Sequence, residues 1–211
     1  MSNENRIISG SIIGLRKEFE DQFMMLYKHA FPGVVERICR SNISDYSIFL
    51  HNNILFSYMV YAGTDYEADM KAIGSDKTTQ EWGKLIEPMH QPFKSKQENE
   101  RWADIKLWYS TELHSLAPFM IVRYTYTLPT PASLPETAPD QLFGDIDFWG
   151  TTYDLKSLKI FRGFQDLYIY LETSQTADLS FLLEIITRVL KADTLPAVMI
   201  EVFHTECINS D

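Results

Sequence analysis

The chain has 211 residues, which fits one large domain or two of about 100 residues each. With 19 Lys and Arg against 29 Asp and Glu, its net charge of −10 excludes the clustered cationic surface that nucleic-acid phosphates demand. No apolar run reaches spanning length, residues 1–10 lack the segments of a secretory signal, and two cysteines are too few for a disulfide framework, so a cytoplasmic protein with neither nucleic-acid nor membrane partners is expected.

Residues 6–15 (RIISGSIIGL) are rich in β-branched side chains and carry few charges, which predicts a buried strand. Over residues 16–30, Phe19, Phe23, Leu26, Tyr27 and Ala30 recur at helical spacing, the mark of an amphipathic helix. Pro32 should interrupt it near Phe31, because the residue before a proline avoids the α region; the helix can restart from the proline itself. Residues 45–61 hold two apolar runs joined around His51, Asn52 and Asn53, a hairpin signal. Residues 64–89 read as a helical stretch broken near Gly74 and Ser75, with Asp65 and Asp76 as N-caps. After a polar segment, residues 104–116 alternate as a strand does. The order β-α-β-β-α-β is the ferredoxin-like pattern.

The second half repeats that order with a poorer first helix. Residues 119–128 read as a strand, and residues 129–141, with Pro129, Pro131, Pro135 and Pro139, as loop. Residues 155–172 form a predicted hairpin turning near Gly163. Residues 177–193 give a clear helix, capped by Asp178 or Ser180, and residues 197–206 a closing strand. The predicted fold class is therefore α+β, built from tandem ferredoxin-like (βαββαβ) units over residues 1–118 and 119–211, the second degenerate, with a junction near Pro118.

Within residues 31–82, FPGVVERICRSNISDYSIFLHNNILFSYMVYAGTDYEADMKAIGSDKTTQEW closely resembles the L-rhamnose mutarotase family. The matching features are a helix restart at an aromatic-Pro pair, an NYSIFL-type strand, an LLFAYFEY-type strand, an acidic helix start and a tryptophan after TQ. The resemblance spans roughly residues 6–116, and the closing EVFHTE of the second half is similar to the family's last strand. It implies a dimeric α+β barrel made here within one polypeptide, an intramolecular pseudo-dimer open to further homo-oligomer formation. It also implies an isomerase: a carbohydrate mutarotase that interconverts anomers of an aldose such as L-rhamnose, with a monosaccharide as its partner and no cofactor or metal.

The family's catalytic helix carries a tyrosine, a histidine four residues later, and Trp-Pro after four more. In register with Phe31-Pro32, those two positions hold Phe23 and Tyr27. Tyr46 matches the family's sugar-contacting tyrosine, and Trp82 the first of its paired tryptophans, with Gly83 in place of the second. The resemblance thus implies Tyr27 as the catalytic group and Phe23, Tyr46 and Trp82 as substrate-binding residues, while both acid/base positions are altered. An inactive sugar-binding or sensor paralogue is therefore the alternative. A different reaction on the same barrel, as in small monooxygenase-like relatives, is a third reading.

Mutarotation needs a proton delivered to the ring oxygen and another removed from the anomeric hydroxyl, with the roles exchanged on closure. Histidine, with an ordinary pKa of about 6.5, serves both roles; tyrosine, at about 10, donates well and accepts poorly. Either Tyr46 or Glu112, a carboxylate on the first closing strand, is a candidate partner for Tyr27. His29 falls two residues past the catalytic position, about 200° around the helix, and reads as an exposed helix end. His51 and His90 read as exposed, and His114 and His204 as ordinary strand histidines. Asp65, Glu67 and Asp69 lack matching His or Cys spacing and read as capping groups rather than metal ligands. Neither a glycine-rich phosphate loop nor a nucleophile elbow is present.

Overall fold

The β-branched first segment forms strand β1 (Ile7–Leu15), whose Ile12, Ile13 and Leu15 are buried. This is a computed structural model, and it describes residues 6–93, 101–112, 121–138, 143–144, 152, 154–173 and 179–207. A single 3-10 turn (Lys17–Phe19) leads into α1 (Glu20–Lys28), which has Glu20 and Asp21 in its first turn and Lys28 in its last, as the helix dipole favours. Phe23 and Tyr27, four residues apart, are its buried pair. The proline acts as expected. α1 ends at Lys28 with His29 as C-cap, and α2 (Pro32–Arg40) starts on Pro32, burying Val34 and Ile38.

Strands β2 (Ile43–His51) and β3 (Ile54–Tyr61) form the expected hairpin. Asn52 and Asn53 both have positive φ, 47° and 60°, the two left-handed residues that a tight hairpin matching the strand twist requires. α3 (Tyr66–Ser75) and α4 (Lys77–Ile86) follow, each capped by the predicted aspartate: Asp65 accepts from the Ala68 amide at 3.1 Å and Asp76 from the Thr79 amide at 2.9 Å. Asp76 also accepts from the Thr79 hydroxyl at 3.0 Å, so it ends one helix and starts the next. Asp76→Ala is expected to lower stability by about 1 kcal/mol, measured as a shift in urea midpoint. An unchanged midpoint would mean the cap contributes nothing.

The chain forms two compact units, one of Met1–Asp104 with Ile200–Asp211 and the other of Ile105–Met199. The first unit adds a short strand β4 (His90–Gln91) beside β1. The second contains most of β5 (Ala103–Glu112), then β6 (Val122–Pro129), β7 (Leu155–Arg162), β8 (Asp166–Thr173), α5 (Ser180–Leu190) and β9 (Ala197–Val198). Strand β10 (Ile200–Glu206) returns to the first unit. This partition differs from a single cut near Pro118, which lies outside the described residues together with His114, Pro139 and Asp178. The expected closing strand over residues 197–206 is split after Val198: β9 pairs with β6, whereas β10 pairs with β2.

The first unit's antiparallel sheet runs β10-β2-β3-β1, with β4 paired to β1; the second's runs β5-β7-β8-β6-β9. Corresponding strands take corresponding places, and the strand on the outer side of β2 or β7 within each unit comes in each case from the other half of the sequence. In the first unit Ile13, Leu15, Ile48, Leu50 and Leu55 lie under Phe23, Val34, Ile38, Trp82 and Ile86 of the helices. In the second, Leu158, Ile160, Ile169 and Leu171 lie under Leu182, Ile186 and Leu190 of α5. The N-cap position of α5 falls on Leu179, so Ser180 is the first helical residue and not the cap.

The cysteine count misled in one respect. Cys39 on α2 and Cys207 just after β10 are joined in a disulfide, Cα–Cα 5.1 Å, within the first unit. Among the described residues no helix is long and apolar enough to cross a membrane.

Candidate functional site

Tyr27 of α1, Ala30 in the link that follows it, and Val34 and Ile38 of α2 reach one cavity of about 270 Å³ in the first unit. The sheet contributes Ile43, Tyr46 and Met59 from β2 and β3, and Phe203 from β10. Met70 and Ile73 of α3 and Thr79, Trp82 and Ile86 of α4 close it, with Trp102 ahead of β5. Three of the four residues singled out by sequence, Tyr27, Tyr46 and Trp82, line this space. Phe23 does not. It is fully buried behind Tyr27, ring centroids 4.6 Å apart, because a residue one turn earlier on α1 points deeper beneath the helix.

The aromatic rings are held edge to face. Trp82 meets Tyr27 at 5.2 Å and 83°, and Phe31 at 5.2 Å and 62°. Phe203 meets both phenols, Tyr27 at 5.6 Å and Tyr46 at 6.1 Å. Its position follows from an irregularity between Glu201 and Phe203 in the β10–β2 register, which sets Phe203 opposite Ile48. Sequence reasoning missed Phe203 and Trp102. The EVFHTE similarity pointed to the strand carrying Phe203, but only the long-range β10–β2 pairing brings it to the cavity; Trp102 carries no periodic signal.

Electrostatically the cavity is quiet. None of its lining side chains among the described residues is charged. Burial pushes the Tyr27 phenol far above its usual value, the nearby Tyr46 pushes it further, and a hydrogen bond with Trp82 offsets part of the rise. Burial likewise raises Tyr46 to about 12. Both hydroxyls are therefore neutral at physiological pH, able to donate and without the basicity to take a proton fully.

The other candidates lie elsewhere. His29 is exposed at the α1 C-cap, as its helical position predicted. Glu112 belongs to the second unit, where it pairs with the buried Lys159 at 2.7 Å; strand alternation gave its face and not its neighbour. His204 shares a hydrogen bond of 2.8 Å with Ser47. His90, expected to be exposed, is instead 4% exposed, between Phe23 and Trp102. Among the described residues no three His, Cys, Asp or Glu side chains gather as a metal site.

A helix-covered antiparallel sheet enclosing an aromatic-walled cavity defines a ferredoxin-like α+β protein of the barrel-forming class. Residues 9–111 match the family of L-rhamnose mutarotase, and this half of the chain belongs to that family. No curated protein matches the chain. Among solved structures, an anthrone oxidase-like protein is similar at 8% identity and a TM-score of 0.50, over 98% of this chain and 96% of its own. A candidate monooxygenase from Lactobacillus acidophilus NCFM is similar at 8% identity and a TM-score of 0.49, over 96% of this chain and 97% of its own. At such identity the first likeness shows the fold alone, the tandem ferredoxin-like α+β class expected from the sequence.

Proposed function

We propose that this is a binding protein of mutarotase descent. It takes a sugar-sized ring into the cleft where a mutarotase holds an aldose such as L-rhamnose, and it has given up efficient anomer interconversion. The supporting observation is the cavity's chemistry: where the family's histidine belongs stands a buried phenol, and among the described residues no lining group ionises near neutral pH. Ring opening needs a donor and an acceptor together, and a neutral phenol supplies the acceptor poorly.

The proximity of Tyr27 and Tyr46 favours a second reading, slow L-rhamnose mutarotation in which Tyr27 donates to the ring oxygen while Tyr46 accepts from the anomeric hydroxyl. Saturation-transfer NMR on L-rhamnose separates the two. We expect exchange at the spontaneous rate with the natural protein. A Phe23→Tyr, Tyr27→His variant should show at least a tenfold acceleration, because it restores a group whose pKa lies near the working pH. Acceleration by the natural protein, abolished in Tyr27→Phe, would establish the second reading instead.

A further inference from the structure

We propose that the ligand of the first unit's cavity is an uncharged ring with one or two oxygen substituents on one edge and hydrocarbon elsewhere, of the alkylphenol or alkylcyclohexanol kind, rather than a free polyhydroxy aldose. The proposal rests on the reading above that the cavity binds rather than turns over, and it narrows what is bound.

Hydrogen-bonding capacity sets the ligand's polarity. The polar lining consists of Tyr27, Tyr46, Thr79, Trp82 and Trp102. The Thr79 hydroxyl is already engaged as a donor, to Asp76 at 3.0 Å, and the Trp82 indole meets the Tyr27 ring edge to face at 5.2 Å. Among the described residues, a ligand meets the phenol pair, the two indole N–H groups and the Thr79 oxygen as an acceptor, which together offer only three oxygens to accept from a ligand's hydroxyls. An aldose presents more hydroxyls than these can satisfy, and each one buried unpaired lowers affinity about tenfold or more.

The rest of the wall favours hydrocarbon. Val34, Ile38, Ile43, Met59, Met70 and Ile73 offer only methyl, methylene and thioether surface, which gains by covering apolar groups. With no charged lining residue among those described, an ionised ligand would lose its hydration without compensation from them. The volume of about 270 Å³ lies just under the range of about 300–1,000 Å³ usual for small-molecule sites, so one ring with a short alkyl arm fills it.

Titration calorimetry of the full chain with 4-ethylphenol, ethylbenzene and L-rhamnose tests this. 4-Ethylphenol should bind at least tenfold more tightly than L-rhamnose. Tyr46→Phe should weaken 4-ethylphenol about tenfold while leaving ethylbenzene unchanged, the signature of one lost hydrogen bond in an intact cavity. L-Rhamnose binding as tightly as 4-ethylphenol, or no binding of either at millimolar concentration, overturns the proposal. Catalysed anomeric exchange would overturn the binding-only reading separately, whereas tight L-rhamnose binding without exchange would sink the ligand class alone.

Discussion

Replacing both cysteines, Cys39→Ser with Cys207→Ser, is expected to lower the stability of the first unit by about 3–5 kcal/mol. The bond joins α2 to the residue after β10 across 168 positions of sequence. A cross-link that closes a long loop removes many conformations from the unfolded chain, and the chain-entropy treatment gives about 5 kcal/mol for a loop of this length. Measured values usually fall short, because unfolded chains keep some structure. Here the loop contains β2, all of the second unit and β10, so without the bond the β10–β2 ladder must be found by a chain end searching over its whole length. The Cys207 amide donates to Ser44 at 3.0 Å, which anchors the strand end locally but does not replace that restriction. The effect is best read locally, in hydrogen exchange of β2 and β10 amides, beside urea melts of the oxidised and the reduced, alkylated protein. Coincident melts, or two alkylatable thiols in the oxidised native protein, would refute it.

What was legible in the sequence had local causes. Asn52 and Asn53 announce a tight hairpin because few residues tolerate positive φ, and both adopt it. Asp65 and Asp76 cap helices because a short carboxylate reaches back to an amide three residues on, as both do. Pro32 had to begin a helix rather than sit inside one. What was hidden depended on partners distant in the chain. Residues 197–206 read as one strand, but only the fold decides that Ala197 and Val198 pair with β6 while Ile200 onward pairs with β2. Cys39 and Cys207, dismissed by count, become neighbours through that same pairing. The cavity divides likewise. The mutarotase register found Tyr27, Tyr46 and Trp82, all within residues 9–111, whereas Phe203 arrives from the far end of the chain. Register alone put Phe23 among the binding residues, and helix geometry turned it into the core behind Tyr27.

Acid should weaken the first unit through His90 well before the depressed carboxylates titrate. The imidazole is 4% exposed, and neither ring nitrogen finds a hydrogen-bond partner among the described residues. Phe23 and Trp102 flank it, each with ring centroids 5.8 Å away. Burial, assisted by the Arg101 charge, lowers its pKa from 6.5 to about 4. Between those two values the unfolded chain holds a proton that the folded one refuses, so stability falls as pH drops through about 6.5 and stops falling from this cause below about 4. At 1.36 kcal/mol per pH unit, the full loss below pH 4 reaches about 3 kcal/mol. Asp69 and Asp76 act in the same direction but later. Their hydrogen bonds, chiefly from Asn42 and from the Thr79 amide, hold both below the usual carboxylate range, so their stabilisation is lost only as pH falls through those lowered values. His90→Leu isolates the histidine: it exchanges an unpaired buried imidazole for hydrocarbon, and should leave stability at pH 7 unchanged or slightly raised. The natural protein should then lose about 2 kcal/mol more than the variant between pH 7 and pH 4.5 in parallel urea melts. Identical losses in the two proteins would show that His90 takes up its proton in the folded state, and that its burial carries no acid penalty.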